Sequence, residues 1–237
     1  MLVSFPLLAS SFAANTCTGT SANVTQVQCD AWGDFYDATG GDSWAVYGTR
    51  ICEGAREDPC SCHGYNGGFP VCHPDGTAIQ QMYAPLAPLE TAPLARRRPA
   101  PLCPPDHSPT HPPTTASSAF FGSNLVGTVP ASASAFVNLT NFYVPGNKLG
   151  GAFPLGASAW AKLARFDVHS NLFQGPLPAL PFASMRQTQV SGCYLMDHPD
   201  GGTNAFSCPW PVGATDLCQK FSSFTGGWVA LTDADCK

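Results

Sequence analysis

The residues that come nearest to a catalytic arrangement in this chain are an aspartate and a histidine two positions apart, Asp167 and His169. On a β-strand this spacing places both side chains on one face, where an acid and a base could transfer protons. Nothing else completes a reaction centre, because the chain contains no G-x-S-x-G, H-E-x-x-H, phosphate-loop or kinase signature. We therefore expect a protein that is not an enzyme and uses no cofactor.

A second group of residues could bind a metal ion. It lies in the stretch PCSCHGYNGGFPVCH, which contains Cys60, Cys62 and Cys72 together with His63 and His73. Thiolates and imidazoles are the ligands that zinc prefers, but a C-x-C pair lacks the usual spacing of about two to four residues between ligands. A chain with 11 cysteines is more typical of an oxidising compartment, where thiols form disulfides. We expect disulfides and no metal, with zinc as the alternative.

The cysteines fall into two groups near the ends of the chain, with Cys103 alone between them. The first group is Cys17, Cys29, Cys52, Cys60, Cys62 and Cys72, and the second is Cys193, Cys208, Cys218 and Cys236. This distribution predicts two disulfide-rich caps around a middle region. Sequence does not determine the pairing, but we expect Cys60 or Cys62 to pair with Cys72, and Cys218 to pair with Cys236.

Composition and the N-terminal segment narrow the class of protein. A formal net charge of −5 and a pI near 5.5 argue against nucleic-acid binding, which needs a basic surface. Residues 1–13 are apolar and end in small residues, which predicts a secretory signal peptide; an N-terminal strand or helix is the alternative. No later stretch of about 20 apolar residues predicts a membrane span. We expect a secreted, extracellular or cell-surface protein.

The middle region repeats with a period of 24 residues. FVNLTNFYVPGNKLGGAFP, from Phe136, aligns with WAKLARFDVHSNLFQGPLP, from Trp160, and SNLVGTVP, from Ser123, matches the end of the same unit. In each full unit two inward apolar residues alternate with an outward one, as in a short β-strand. A fourth unit, FASMRQTQVSGCYL, fits with a step of 22 residues. Equivalent positions after each strand predict a ladder of backbone-binding residues: Ser123, Asn147, Asn171 and Cys193.

These units resemble the plant-type leucine-rich repeat, L-x-x-L-x-x-L-x-L-x-x-N-x-L-x-G-x-I-P, with aromatic residues and valine in many leucine positions. The segment AWGDFYDATGGDSWAVYG, followed by the first cysteine group, is similar to the cap that precedes such repeats, with a short helix near Trp32–Asp37. The resemblance implies an α/β repeat fold: a short solenoid with one parallel β-strand per repeat, an irregular or 3-10 convex side and disulfide-rich caps.

The resemblance also implies a division of the chain. We expect a signal peptide at 1–13, an N-terminal cap with the first strand at 14–83, repeats at 118–195 and a C-terminal cap at 196–237. The remaining segment, 84–117, is proline-rich, with ten prolines between Pro85 and Pro113. It is either a linker or wrongly translated sequence that replaces a repeat, and the lone Cys103 favours the second.

Leucine-rich repeats ordinarily bind partners, so the resemblance implies an extracellular recognition module for a protein, peptide or glycan. The expected ligand-binding residues face solvent on the concave strand surface: Asn141, Tyr143, Arg165, Asp167, His169, Arg186, Gln187 and Gln189. Two N-x-[ST] motifs predict glycosylation at Asn23 and Asn138. A structural cell-wall or surface component, and a small secreted hydrolase that uses Asp167 or His169, are the alternative functions.

Overall fold

The computed structural model describes residues 16–46, 48–62, 71–82, 122–185, 192–196, 203–222 and 227–237. The predicted signal peptide, the whole proline-rich segment 84–117 with Cys103, and His63, Arg186, Gln187 and Gln189 lie outside these ranges.

The N-terminal part is built on one helix, α1 (Gln26–Ala38), which begins six residues before the helix expected at Trp32. It ends at Ala38, and two residues later Gly40 has a φ of +73°, a left-handed conformation that glycine adopts without a steric penalty. Its apolar face packs against Trp44, whose ring lies 6.0 Å from that of Trp32 and 5.0 Å from that of Tyr36. Burial of these large rings stabilises the cap.

Three disulfides join the N-terminal cysteines in pairs: Cys17–Cys29, Cys52–Cys62 and Cys60–Cys72. Of the two pairings expected for Cys72, the structure has the one with Cys60. All three cysteines of the alternative zinc site are therefore oxidised, and none is left as a thiolate ligand.

Twelve short strands occur among the described residues, and most of them belong to two sheets. A short antiparallel pair in the cap is formed by β1 (Ala45–Val46) and β2 (Thr49–Arg50). The other ten strands are β3 (Gln81–Met82), β4 (Val126–Thr128), β5 (Asn141–Tyr143), β6 (Lys148–Ala152), β7 (Arg165–Asp167), β8 (Leu172–Pro176), β9 (Gly192–Met196), β10 (Ala205–Ser207), β11 (Cys218–Ser222) and β12 (Gly227–Ala230). The six-stranded sheet has the order β12-β11-β9-β7-β5-β3, and the four-stranded sheet has the order β10-β8-β6-β4.

Successive repeats add one parallel strand to each sheet. β3, β5, β7, β9 and β11 are parallel, and β12 closes the sheet by pairing antiparallel to β11. In the four-stranded sheet, β4, β6, β8 and β10 are all parallel. Between the sheets the chain forms 3-10 helices at Ala131–Ala135, Leu155–Ala159 and Phe182–Ser184.

The core lies between these elements and consists mainly of aromatic rings. Phe153 packs edge-to-face on Phe142 at 5.7 Å, on Phe166 at 5.2 Å and on Phe173 at 5.3 Å. All four side chains are buried. The alternation seen in the sequence therefore does send one set of residues inward from both sheets.

The N-terminal cap covers the first edge of the four-stranded sheet. The backbone N–H of Val126 donates to the carbonyl of Thr39, 3.2 Å away. Gly127, with a φ of +78°, lies so close to the end of α1 that a β-carbon there would be 2.2 Å from the carbonyl oxygen of Ala38. Only glycine permits this approach, which joins the cap to β4.

The C-terminal part contains the second group of cysteines and the helix α2 (Ala214–Leu217). The bonds are Cys193–Cys218 and Cys208–Cys236, so the expected pairing of Cys218 with Cys236 is wrong. Cys193 and Cys218 are adjacent on β9 and β11, which brings their side chains together across the sheet.

Candidate functional site

A ladder of buried asparagines holds the two sheets in register. The Oδ1 atom of Asn147 accepts from the N–H of Leu125 at 3.0 Å, and Oδ1 of Asn171 accepts from the N–H of Leu149 at 3.1 Å. The Nδ2 atom of Asn171 donates to the carbonyl of Val144 at 2.8 Å. Each amide therefore satisfies backbone groups that the turning chain would otherwise bury without a partner.

The ladder continues in a different place from the one expected. Cys193 lies in β9, paired with Phe166, in an inward apolar position of the strand. The residue that accepts from Phe173 N–H is Asn204, at 2.9 Å, and its Nδ2 donates to the carbonyls of Val168 and Leu195. Ser123, the first residue of the expected ladder, is fully buried.

The outer face of the six-stranded sheet carries two rows of side chains. In the first row Asn141 pairs with Arg165, and Arg165 pairs with Gly192; in the second, Tyr143 pairs with Asp167, and Asp167 pairs with Tyr194. The sequence predicted that Gln187 and Gln189 of the fourth unit lie on this face. β9 begins at Gly192, so that register is wrong, because the unit contains more residues before its strand than a 22-residue step provides.

Four of the expected ligand-binding residues are buried: Tyr143, Arg165, Asp167 and His169. Asp167 lies at their centre. Its Oδ1 is 2.5 Å from Nδ1 of His169, and its Oδ2 is 3.6 Å from Nη2 of Arg165. The guanidinium carbon of Arg165 lies 3.9 Å above the ring of Tyr143, a cation–π geometry. The charges therefore compensate one another inside the protein, as buried charges must.

The C-terminal hairpin of β11 and β12 contributes to this burial. Trp228, on β12, packs edge-to-face on His169 with ring centroids 4.9 Å apart, and on Tyr194 at 4.7 Å. Phe221, on β11, lies 5.7 Å from Trp228. Burial raises the pKa of the Tyr194 hydroxyl, and the nearby carboxylate of Asp167 raises it further. Sequence reasoning missed Trp228 because its hairpin carries no repeat pattern.

What remains accessible on the outer face is a set of half-buried polar and aromatic side chains. Asn141 is half-buried at one end; Tyr194, Gln219, Phe221 and Trp228 are half-buried at the other. Gln219 pairs with Tyr194 and so extends the second row. Rigid strands hold amides and large rings together here, a composition found at protein recognition surfaces.

The two predicted glycosylation sites occupy different surroundings. Asn23 is exposed in a turn two residues before Thr25, the N-cap of α1. Asn138 is half-buried in the turn before β5, where its Oδ1 accepts from Nζ of Lys162 at 2.6 Å.

The described residues contain no helix with the length and apolar character needed to cross a bilayer. They also contain no cluster of three or more histidine, cysteine or acidic side chains arranged to hold a metal ion.

Comparison with known proteins gives structural neighbours only. No protein-family model and no curated protein matches the chain. Solved structures similar to it include the crystal structure of PEPR1-AtPEP1, with 23% identity and a TM-score of 0.31, covering 41% of this chain and 13% of that one. The BIR3–SERK2 complex from Arabidopsis thaliana has 17% identity and a TM-score of 0.31, with coverages of 41% and 60%.

The leucine-rich-repeat ectodomain of the receptor kinase SOBIR1, also from Arabidopsis thaliana, has 20% identity and a TM-score of 0.28, with coverages of 41% and 52%. The chain thus spans less than two thirds of each of these structures. Its neighbours include plant leucine-rich-repeat ectodomains, and the five disulfides among the described residues fit an extracellular location.

Proposed function

We propose that this chain is a secreted or cell-surface recognition module, a short leucine-rich-repeat solenoid that binds an extracellular protein, peptide or glycan. The single observation that carries the proposal is the outer face of the six-stranded sheet. Parallel strands align the half-buried side chains of Asn141, Tyr194 and Gln219 there, and the antiparallel strand β12 adds Trp228 beside them. Such a face offers hydrogen bonds and ring contacts with little loss of side-chain entropy on binding.

The buried charges support a binding role over hydrolysis. Asp167 and His169 are only 3% and 6% exposed, and Trp228 packs on the histidine. A substrate would have to displace Trp228 to reach them. We propose that the cluster organises the strands beneath the binding face and that the protein is not an enzyme.

The test compares two glutamine substitutions on strands of different sheets. The wild-type protein is immobilised, and binding is measured for extracellular proteins, peptides and glycans fractionated from its native source. Gln219→Arg places a long cation on the outer face of the six-stranded sheet. We expect this substitution to lower the fraction of ligand that binds at least tenfold. Gln174→Arg introduces the same side chain on the exposed surface of β8 and should leave binding unchanged.

Three results would contradict the proposal. Equal effects of the two substitutions would remove the face from the binding site, and binding of no fraction would argue against recognition. Self-association of the wild-type protein in sedimentation, in the absence of any ligand, would favour a structural component of the wall or surface.

A further inference from the structure

A polar cleft of about 290 Å³ lies between the N-terminal cap and the turn before β5. Its walls include His73, Asp75 and Thr77 from a turn of the cap, Gln80 beside β3, and Asn138 with Lys162 from two successive repeats. Its size is near the lower end of small-ligand sites, which begin at about 300 Å³. Its donors and acceptors suit a ligand rich in hydroxyl and amide groups.

Asn138 is the residue that points to an occupant. It begins the sequence Asn-Leu-Thr, and Thr140 holds its turn against the cap by donating from its backbone N–H and its hydroxyl to the carbonyl of Gln80. The Oδ1 atom of Asn138 is used by Lys162, whereas its Nδ2 atom makes no hydrogen bond to any residue that the structure describes. The ladder asparagines, by contrast, all donate from Nδ2. Nδ2 is the atom to which N-linked sugars are attached.

We propose that Asn138 carries an N-linked glycan whose first N-acetylglucosamine occupies this cleft. In the transfer step, Nδ2 forms a bond to the anomeric carbon of a lipid-linked diphosphate oligosaccharide. The bond from that carbon to the diphosphate oxygen breaks, the lipid diphosphate leaves with the electron pair, and Nδ2 loses one proton. The inference requires that the chain is exported, but it does not depend on the recognition role.

The cleft can hold the sugar from both sides. Asp75 accepts hydrogen bonds from the side chain and backbone of Thr77, and these lower its pKa to about 2. It is therefore an ionised acceptor for sugar hydroxyls at the pH of the secretory pathway. On the opposite side Lys162 keeps its contact with Oδ1, an atom that attachment at Nδ2 leaves intact. A seated sugar would bridge the cap and two repeats.

The experiment uses the full chain produced through a eukaryotic secretory pathway. Peptide mapping measures sugar occupancy at Asn138 and at the exposed Asn23. An amidase that hydrolyses the bond between asparagine and sugar is then applied to the folded protein. We expect release from Asn138 to be at least tenfold slower than release from Asn23, and the two rates to become equal after denaturation.

Lys162→Ala removes one wall of the cleft and should bring the release rate at Asn138 towards that at Asn23. Lys148→Ala is the matched control, because this exposed lysine lies on β6, away from the cleft. Asn23 serves as the reference within each molecule. A substitution that unfolds the protein would increase the rate of sugar release at both asparagines, which distinguishes unfolding from a local effect at Asn138.

The outcomes separate the inference from the question of export. Sugar on Asn23 with none on Asn138 would overturn the inference while leaving export intact. Sugar on Asn138 that is released as fast as from Asn23 would show that the glycan is not seated. Absence of sugar from both sites would also overturn the inference, because Asn138 would then remain unmodified.

Discussion

The asparagine ladder predicts a large loss of stability from one small substitution, Asn171→Ala. The amide of Asn171 is fully buried, and Leu149 N–H would lose the acceptor that it has in the folded chain. An unsatisfied buried donor costs about 1–3 kcal/mol. The carbonyl of Val144 keeps a donor from Asn147, and that of Val168 keeps one from Asn204, so losing Nδ2 adds only about 1 kcal/mol.

The expected decrease in the free energy of unfolding is therefore about 2–4 kcal/mol. It is measured by urea denaturation followed by tryptophan fluorescence, with all disulfides intact. The control is Asn141→Ala, because this half-buried amide donates to the hydroxyl of the neighbouring Thr140, 2.9 Å away. That substitution should cost about 1 kcal/mol or less. Destabilisation by Asn171→Ala within about 0.5 kcal/mol of the control would refute the reasoning.

A pH-dependent variant at the same position tests the orientation of the amide. Asn171→Asp keeps an acceptor for Leu149 N–H but turns a second oxygen towards the carbonyl of Val144. Burial and this repulsion raise the pKa of the new carboxyl in the folded state above its unfolded value near 3.9. The decrease in the free energy of unfolding caused by Asn171→Asp should therefore become larger as pH rises above about 4, and smaller as pH falls towards about 4. A loss that is constant between pH 4 and pH 7 would contradict this orientation.

Three further predictions concern the C-terminal part. Replacing Cys193 and Cys218 together by alanine opens a bond with a sequence separation of 25 and should lower the free energy of unfolding by about 3 kcal/mol; a change below about 1 kcal/mol would contradict this. Burial alone would raise the pKa of Asp235, but hydrogen bonds from lysine and threonine side chains outweigh it and lower the pKa. Stability from this carboxylate is thus present above about pH 4 and lost below it, so the difference between wild type and Asp235→Asn in unfolding titrations should vanish in acid. Trp228→Ala should speed acylation of His169 by diethylpyrocarbonate at least tenfold, and an unchanged rate would show that the ring does not shield it.

The sequence allowed prediction of the regular units because their chemistry repeats. Phe142 and Phe166, 24 residues apart, take the same inward position on β5 and β7, and the asparagines that follow them take the same place in the ladder. The fourth unit does not keep this period. Alignment of its apolar residues to the repeat therefore predicted its strand too early in the chain and assigned Cys193 to the ladder. Asn204 could have been found, because it precedes Phe206 by two residues, as Asn171 precedes Phe173.

The burial of the expected binding residues could not be predicted from the repeat. Within a repeat, Asp167 is at an outward position at the end of β7 and His169 follows it by two residues, and solvent exposure is the ordinary expectation for such positions. Their burial depends in part on Trp228, which comes from a hairpin almost 60 residues later in the chain. Contacts between such distant segments follow from tertiary packing and leave no periodic signal.

The position of Asn204 shows that a repeat can differ in length and still contribute the same structural elements. Compared with the preceding unit, the last one has three additional residues before its strand and six more between strand and asparagine. It nevertheless supplies one strand to each sheet and one amide to the ladder. Such a protein can gain or lose residues between these fixed points during evolution without a change of register. Searches for related chains should therefore align the asparagine and the apolar residue two positions after it, and should allow the period to vary.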